Sequence, residues 1–247
     1  MGARKAPLDP VADLKRRLSR QRPLRPCLQA WWRDHDFADH PATVGKRVAI
    51  ALIEQRLHGA GTAVLAELLA DQLRVSDLAL FARLFADGHF MDDSSIASPT
   101  NVGRAALPKG VWSSIDRFAI DVLAQMIDTA PGRTEIARVI AGWRGADTAC
   151  QRRAACVAFV PHVADPALAE HAFAICAHVV WSHEPCDHLA AGWLLGELAG
   201  VAPERATAFF RRHARLMSRA CARKAVAKLP RRHELLAHHR RSTTAKR

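Results

Sequence analysis

Three prolines recur at nearly equal intervals along this chain and constrain its fold more than any other feature. The stretches "DTAPGRTEI", "VADPALAEH" and "GVAPERATA" place Pro131, Pro166 and Pro203 at intervals of 35 and 37 residues. Proline suits the first position of a helix, where its missing N–H would have had no partner, so each is fitted to open one. Other helices are expected to open near Ser113, Thr148 and Pro185, each 18 residues before one of those prolines. Two helices in ~35 to 40 residues form a hairpin of HEAT type, a unit that cannot bury its apolar face alone and must stack on its neighbours. The expected fold is all-α, a right-handed-type solenoid of stacked antiparallel helical hairpins with one concave face left open.

Upstream, "GKRVAIALIEQRL", "TAVLAELLADQL" and "VSDLALFARLFADG" look like earlier repeats, and "MDDSSIASPTNVGRAALPKG" reads as a longer polar loop. The repeat domain is expected to span 1–230, followed by a basic, flexible tail over 231–247. The helix after that loop shows the clearest pattern: Ile115, Phe118, Ala119, Val122, Leu123, Met126 and Ile127 fall on one helical stripe. Asp116 lies on the flank of that stripe. With Ser113 it has the S-x-x-D spacing of a capping box, so a purely structural role is open to it.

No run of ~18 uninterrupted apolar residues exists, so a membrane-spanning helix is not expected. The N-terminus has no apolar core of a signal peptide, and Ala6 stands where a myristoylation signal needs Ser or Thr. The six cysteines, Cys27, Cys150, Cys156, Cys176, Cys186 and Cys221, have no regular spacing and are expected to be free thiols of a cytoplasmic protein.

The net charge of +12 is unevenly placed. Residues 1–25 carry eight Lys or Arg against two Asp, and residues 211–247 carry thirteen against one Glu, which leaves the middle at −6. Basic ends on a mildly acidic body favour a polyanion, most simply nucleic acid held through its phosphates. Arg211, Arg215, Arg219 and Arg223, spaced by four, read as a basic ridge that would face either a DNA backbone or solvent. The stretch "CAHVVWSHEPCDH" offers Cys176, His178, His183, Cys186 and His188 as metal-ligand types, but their spacing matches no usual zinc finger, and no metal is expected.

Three stretches add a family resemblance: "VWSSIDRFAIDVL", "GWRGADTACQRRAACVAFV" and "DHLAAGWLLGEL". They are similar, in order and spacing, to the W-D-x-V-D, W-x-x-S-x-N-x-W-x-R-R-x-A and K-A-I-G-W-x-L-R-E segments of the HEAT-like-repeat DNA alkylation repair proteins of the AlkC and AlkD type. The resemblance covers roughly residues 45 to 230. It implies a cofactor-free DNA glycosylase that excises N3- or N7-alkylated purines from duplex DNA, acting as a monomer with no membrane partner. It implies that Asp116 is the catalytic carboxylate, that Trp112 and Trp193 frame the lesion, and that Arg152 or Arg153 contacts DNA. The chemistry agrees. An alkylated purine is a cationic leaving group whose loss leaves an oxocarbenium-like sugar, which a fixed carboxylate stabilises and tryptophan faces attract.

Other roles stand beside these. Trp193 has an apolar helix around it and fits a core position, and Arg152 and Arg153 fit a solvated face. Ser113 replaces an acid of the family pattern, Leu189 a lysine and Gly196 an arginine, which points to altered substrate choice or lost activity. Besides the glycosylase, a noncatalytic DNA-binding repeat protein and a protein-binding HEAT scaffold are compatible with the sequence.

Overall fold

A computed structural model describes residues 73–86, 114–129 and 132–244, together with positions 13, 16, 17, 30, 31, 33 and 34. Every regular element among the described residues is helical. The repeats expected at 45–57 and, except for Leu73, at 62–73, the polar loop, Trp112, Ser113 and Pro131 lie outside the described residues.

The elements begin with α1 (Leu78–Ala86). A second helical run starts as α2 (Ser114–Phe118), widens into a π-helical stretch (Ala119–Ala124) and continues as α3 (Gln125–Thr129). Then come α4 (Arg133–Gly142), α5 (Ala149–Ala158), α6 (Pro166–Val179), α7 (Pro185–Val201), α8 (Pro203–His213), α9 (Arg219–Ala225) and α10 (Arg232–Thr244).

The start signals act as the sequence foretold. Pro166, Pro185 and Pro203 each occupy the first position of a helix. Thr148 caps α5 by accepting from the Gln151 amide, Asp165 caps α6 through Ala167, and Ser218 caps α9 through Cys221. Gly132 precedes α4 with φ at 101°, a left-handed conformation open to a residue without a Cβ.

Alternate helices pack in a row: α5 lies on α2, α7 on α5 and α9 on α7. The intervening helices bridge that row, with α4 against α3 and α5, α6 against α5 and α7, and α8 against α7. This arrangement is compatible with stacked helical hairpins. Helix α7 occupies the middle and spreads its apolar residues around its whole circumference, as a helix with neighbours on several sides does, with Asp187 and Glu197 each engaged by a cation. An aromatic cluster fixes the start of the row: Phe118 meets Phe81 and Phe85 edge to face at 5.0 and 5.7 Å, and Phe85 meets Trp143 at 5.8 Å. The Ala124 carbonyl, in the π-helical stretch, accepts from the buried His162 Nε2 at 3.1 Å.

The stretch expected as a flexible tail is instead largely helix α10, packed on α8, α9 and the turn Ala214–Leu216. Leu235 and His239 are its buried residues, and His239 Nε2 donates to the Met217 carbonyl at 3.0 Å. Two apolar or hydrogen-bonded anchors four residues apart are enough to seat a helix whose other faces are basic.

Gly196 also has a structural reason to differ from the family's arginine. A Cβ on it would stand 2.7 Å from the Lys224 carbonyl oxygen, and one on Gly192 would stand 2.9 Å from the Cys221 Cα, so α9 lies directly on this face of α7. The position faces a neighbouring backbone, not solvent. Gly196→Ala is expected to cost about 1–3 kcal/mol through overpacking, and Gly196→Arg more than that, both read from the midpoint of urea unfolding.

Candidate active site

Asp116, Arg152, Arg153 and Asp187 come together along one edge of the helix row, each in the first two turns of α2, α5 or α7. Consecutive residues of a helix point about 100° apart, so the two arginines of α5 diverge. Arg153 turns toward α2 and binds Asp116 with both arms of its guanidinium, Nε to Oδ1 and Nη2 to Oδ2, each at 2.7 Å. Its Nη1 donates to the Cys186 carbonyl at 3.1 Å. Arg152 turns toward α7 and the preceding loop: Nε binds Asp187 Oδ2 at 2.8 Å, and Nη1 binds the carbonyls of Ala146 and Asp147 at 2.7 and 2.8 Å.

Both pairs are largely withdrawn from water. The side chains of Arg153 and Asp116 are 14% and 8% exposed, and those of Arg152 and Asp187 are 15% and 0%. Burial alone would push Arg153 toward losing its proton, but the hydrogen bonds and charge of Asp116 outweigh it and hold the guanidinium above its ordinary value. Asp187 goes the other way. Burial raises it above the usual carboxylate range, against the opposing effects of the Ser182 hydroxyl and Arg152. Its folded form binds a proton more readily than its unfolded form, so this group favours folding in acid and that contribution is lost as pH rises through its folded value.

Asp116, placed on the flank of the helix by its periodicity, is thus buried and ion-paired, 6% exposed as a residue. Its partner in a capping box, Ser113, is outside the described residues. Arg152 and Arg153, read as alternative DNA contacts or a solvated face, are both engaged within the protein. Trp193 lies half-buried on α7 and packs against the core. The arginine ridge does not form: α8 ends at His213, Met217 is extended, and a new helix begins at Arg219, which separates Arg211, Arg215, Arg219 and Arg223 onto three elements. All four are exposed.

The Cys/His group does not converge. Cys176 is buried with its Sγ toward the Ala191 carbonyl, and His188 is occupied by the Ser182 carbonyl at 2.8 Å and the Ser218 amide at 3.1 Å. Among the described residues no three metal-ligand side chains come together. The one member of the charged cluster that sequence reasoning passed over is Asp187. A signal for it existed: Asp187 stands 35 residues after Arg152, one repeat on, just as Arg153 stands 37 after Asp116.

A model of the family described as "DNA alkylation repair enzyme" matches residues 48–229. The chain belongs to that family. No curated protein and no solved structure matches it. The matched span holds both charge pairs, Trp112 and Trp193, so the cluster lies within the part of this DNA repair family member that the family defines.

Two predictions follow from the cluster. Removing one partner of a buried ion pair strands the other, so Arg153→Met should lower stability by about 3–5 kcal/mol, whereas Arg153→Met with Asp116→Leu should lose distinctly less, by urea unfolding of the two variants. The five described cysteines are free, and burial raises all of their thiols, Cys186 to about 11 and Cys221 to about 12. At pH 8, Cys186 in the folded protein should therefore react with iodoacetamide about a hundredfold more slowly than an ordinary thiol, as followed by peptide mass spectrometry.

Proposed function

We propose that the protein is a DNA glycosylase that hydrolyses the N-glycosidic bond of N3- or N7-alkylated purines in duplex DNA, with Asp116 as the acting carboxylate. The observation that carries this reading is a charged, largely buried carboxylate, fixed in plane by a bidentate arginine, inside the span matched by a DNA alkylation repair family. A side chain used to stabilise developing charge must be oriented before the reaction begins, and two parallel hydrogen bonds do that better than one.

In this reading the C1′–N bond breaks toward the alkylated purine, which takes the bonding electrons and leaves uncharged. Positive charge then grows on the sugar, where Asp116 lowers its energy. Water adds to C1′, and its proton passes to Asp116 and on to solvent. Trp112 and Trp193 would flank the lesion, favouring its cationic ring. The helix row would curve as a HEAT-like solenoid holding the duplex on its concave side. Arg211, Arg215, Arg219 and Arg223 would add phosphate contacts. A monomer acting in the cytoplasm needs no cofactor for this chemistry.

A second reading draws on the same ion pair. A carboxylate tied by both oxygens is also what a structural link between two helices requires, and a DNA-binding repeat protein without chemistry would keep it. Release of 7-methylguanine and 3-methyladenine from methylated duplex DNA separates the two. The glycosylase should release base, and Asp116→Asn should lower the rate about 100-fold or more while still binding DNA. DNA binding without release by the unaltered protein would sink the glycosylase reading and favour the second.

A further inference from the structure

Asp187 is in an expensive place. It is fully buried, and its Oδ1 has no hydrogen-bond partner, the Ser182 hydroxyl that eases its charge standing outside hydrogen-bond geometry. Orphaned carboxylate oxygens in protein interiors are costly and call for a compensating role. Starting α7 does not need it, since Pro185 already occupies the first position of that helix. What Asp187 does is hold Arg152 by Nε, while the residue before it, Cys186, holds Arg153 through its carbonyl. Two consecutive residues of α7 thus receive the two consecutive arginines of α5, one each.

The arginines share a single neighbourhood. Their guanidinium groups end on adjacent residues of α7, Arg153 on the Cys186 carbonyl at 3.1 Å and Arg152 on Asp187 at 2.8 Å. Two cations and two carboxylates in one confined space admit more than one pairing, and the pairing decides how much positive charge Asp116 meets. We propose that Asp187 is a positioning residue that assigns the pairing, holding Arg152 against α7 and off both Asp116 and the DNA, so that of the two arginines it is Arg153 that pairs with Asp116. This rests on Asp116 being the acting carboxylate.

The consequence of removing that charge is unusual for a buried residue. With Asp187→Asn, Arg152 loses its counter-ion and becomes available to phosphate or to Asp116. Binding to undamaged duplex should tighten by several-fold, with a salt dependence steeper by about one in log K against log salt. Base release at saturating DNA should fall at least about tenfold, because a doubly neutralised Asp116 opposes less of the sugar's charge. Combining Asp187→Asn with Arg152→Gln removes the stray cation and should return both quantities toward the unaltered protein. A residue that only supported the fold would lower affinity and turnover together, with no such rescue.

The experiment is duplex binding across a salt series, with base release alongside, for the unaltered protein, Asp187→Asn, Arg152→Gln and the double variant. Arg152→Gln alone should keep the salt slope of the unaltered protein, since Arg152 is held away from DNA. A slope shallower by about one for Arg152→Gln, or an unchanged slope and affinity for Asp187→Asn, would overturn the proposal. Should Asp187→Asn not fold, the Arg152→Gln slope decides. Should the unaltered protein release no base, the glycosylase reading fails while the binding slopes still decide how Arg152 is held.

Discussion

The bidentate bond between Asp116 and Arg153 joins the first turns of two helices that the chain places 37 residues apart, and the arrangement around the candidate site depends on it. A similar interval recurs among the long-range charge pairs between the helices from α2 onward. Arg152 and Asp187 are 35 residues apart, Arg133 and Asp165 are 32, Glu170 and Arg205 are 35, and Glu197 and Lys228 are 31. Each pair therefore ties one unit of the proline-marked period to the next.

Their energetic meanings differ. The three other pairs are substantially exposed, where water and salt screen them and each contributes at most a few tenths to about one kcal/mol. The two pairs around Arg152 and Arg153 are mostly buried, so desolvation offsets much of their attraction, and their effect is felt when a partner is missing. Attraction between the helices comes instead from packed alanines and aromatics and from the bare backbone at Gly192 and Gly196. Apolar contact brings the helices together, and the buried charges penalise any register that leaves one of them alone.

Much of this was legible in one dimension because it follows local rules. Prolines, caps and the apolar stripe from Ile115 to Ile127 depend on neighbours within a few residues, and the described helices begin where those signals stand. The repeat interval hinted at charge pairs, but the partners were not legible, because which of two adjacent arginines turns toward which aspartate is a matter of helix phase against another helix. For the same reason Gly196 looked like a lost cation when its neighbour is the backbone of α9. The evenly spaced arginines failed differently: Met217 and Ser218 break the helix that their spacing presumed. Helix α10 was read by composition as a basic, flexible tail, since only Leu235, Leu236 and His239 among its thirteen residues mark its docking face.

The π-helical stretch Ala119–Ala124 has a bearing on how such a site arises. A wide turn is an α-helix carrying one surplus residue, and each residue advances a helix by about 100°. Everything before the stretch, Asp116 included, is thereby rotated relative to Val122, Met126 and Ile127, which are buried in the core. The bearing of the carboxylate is a genetic quantity of one codon. A single-residue deletion there would leave the downstream packing in frame and swing Asp116 away from Arg153, so the site is open to being made or lost by one indel without rebuilding the array that carries it.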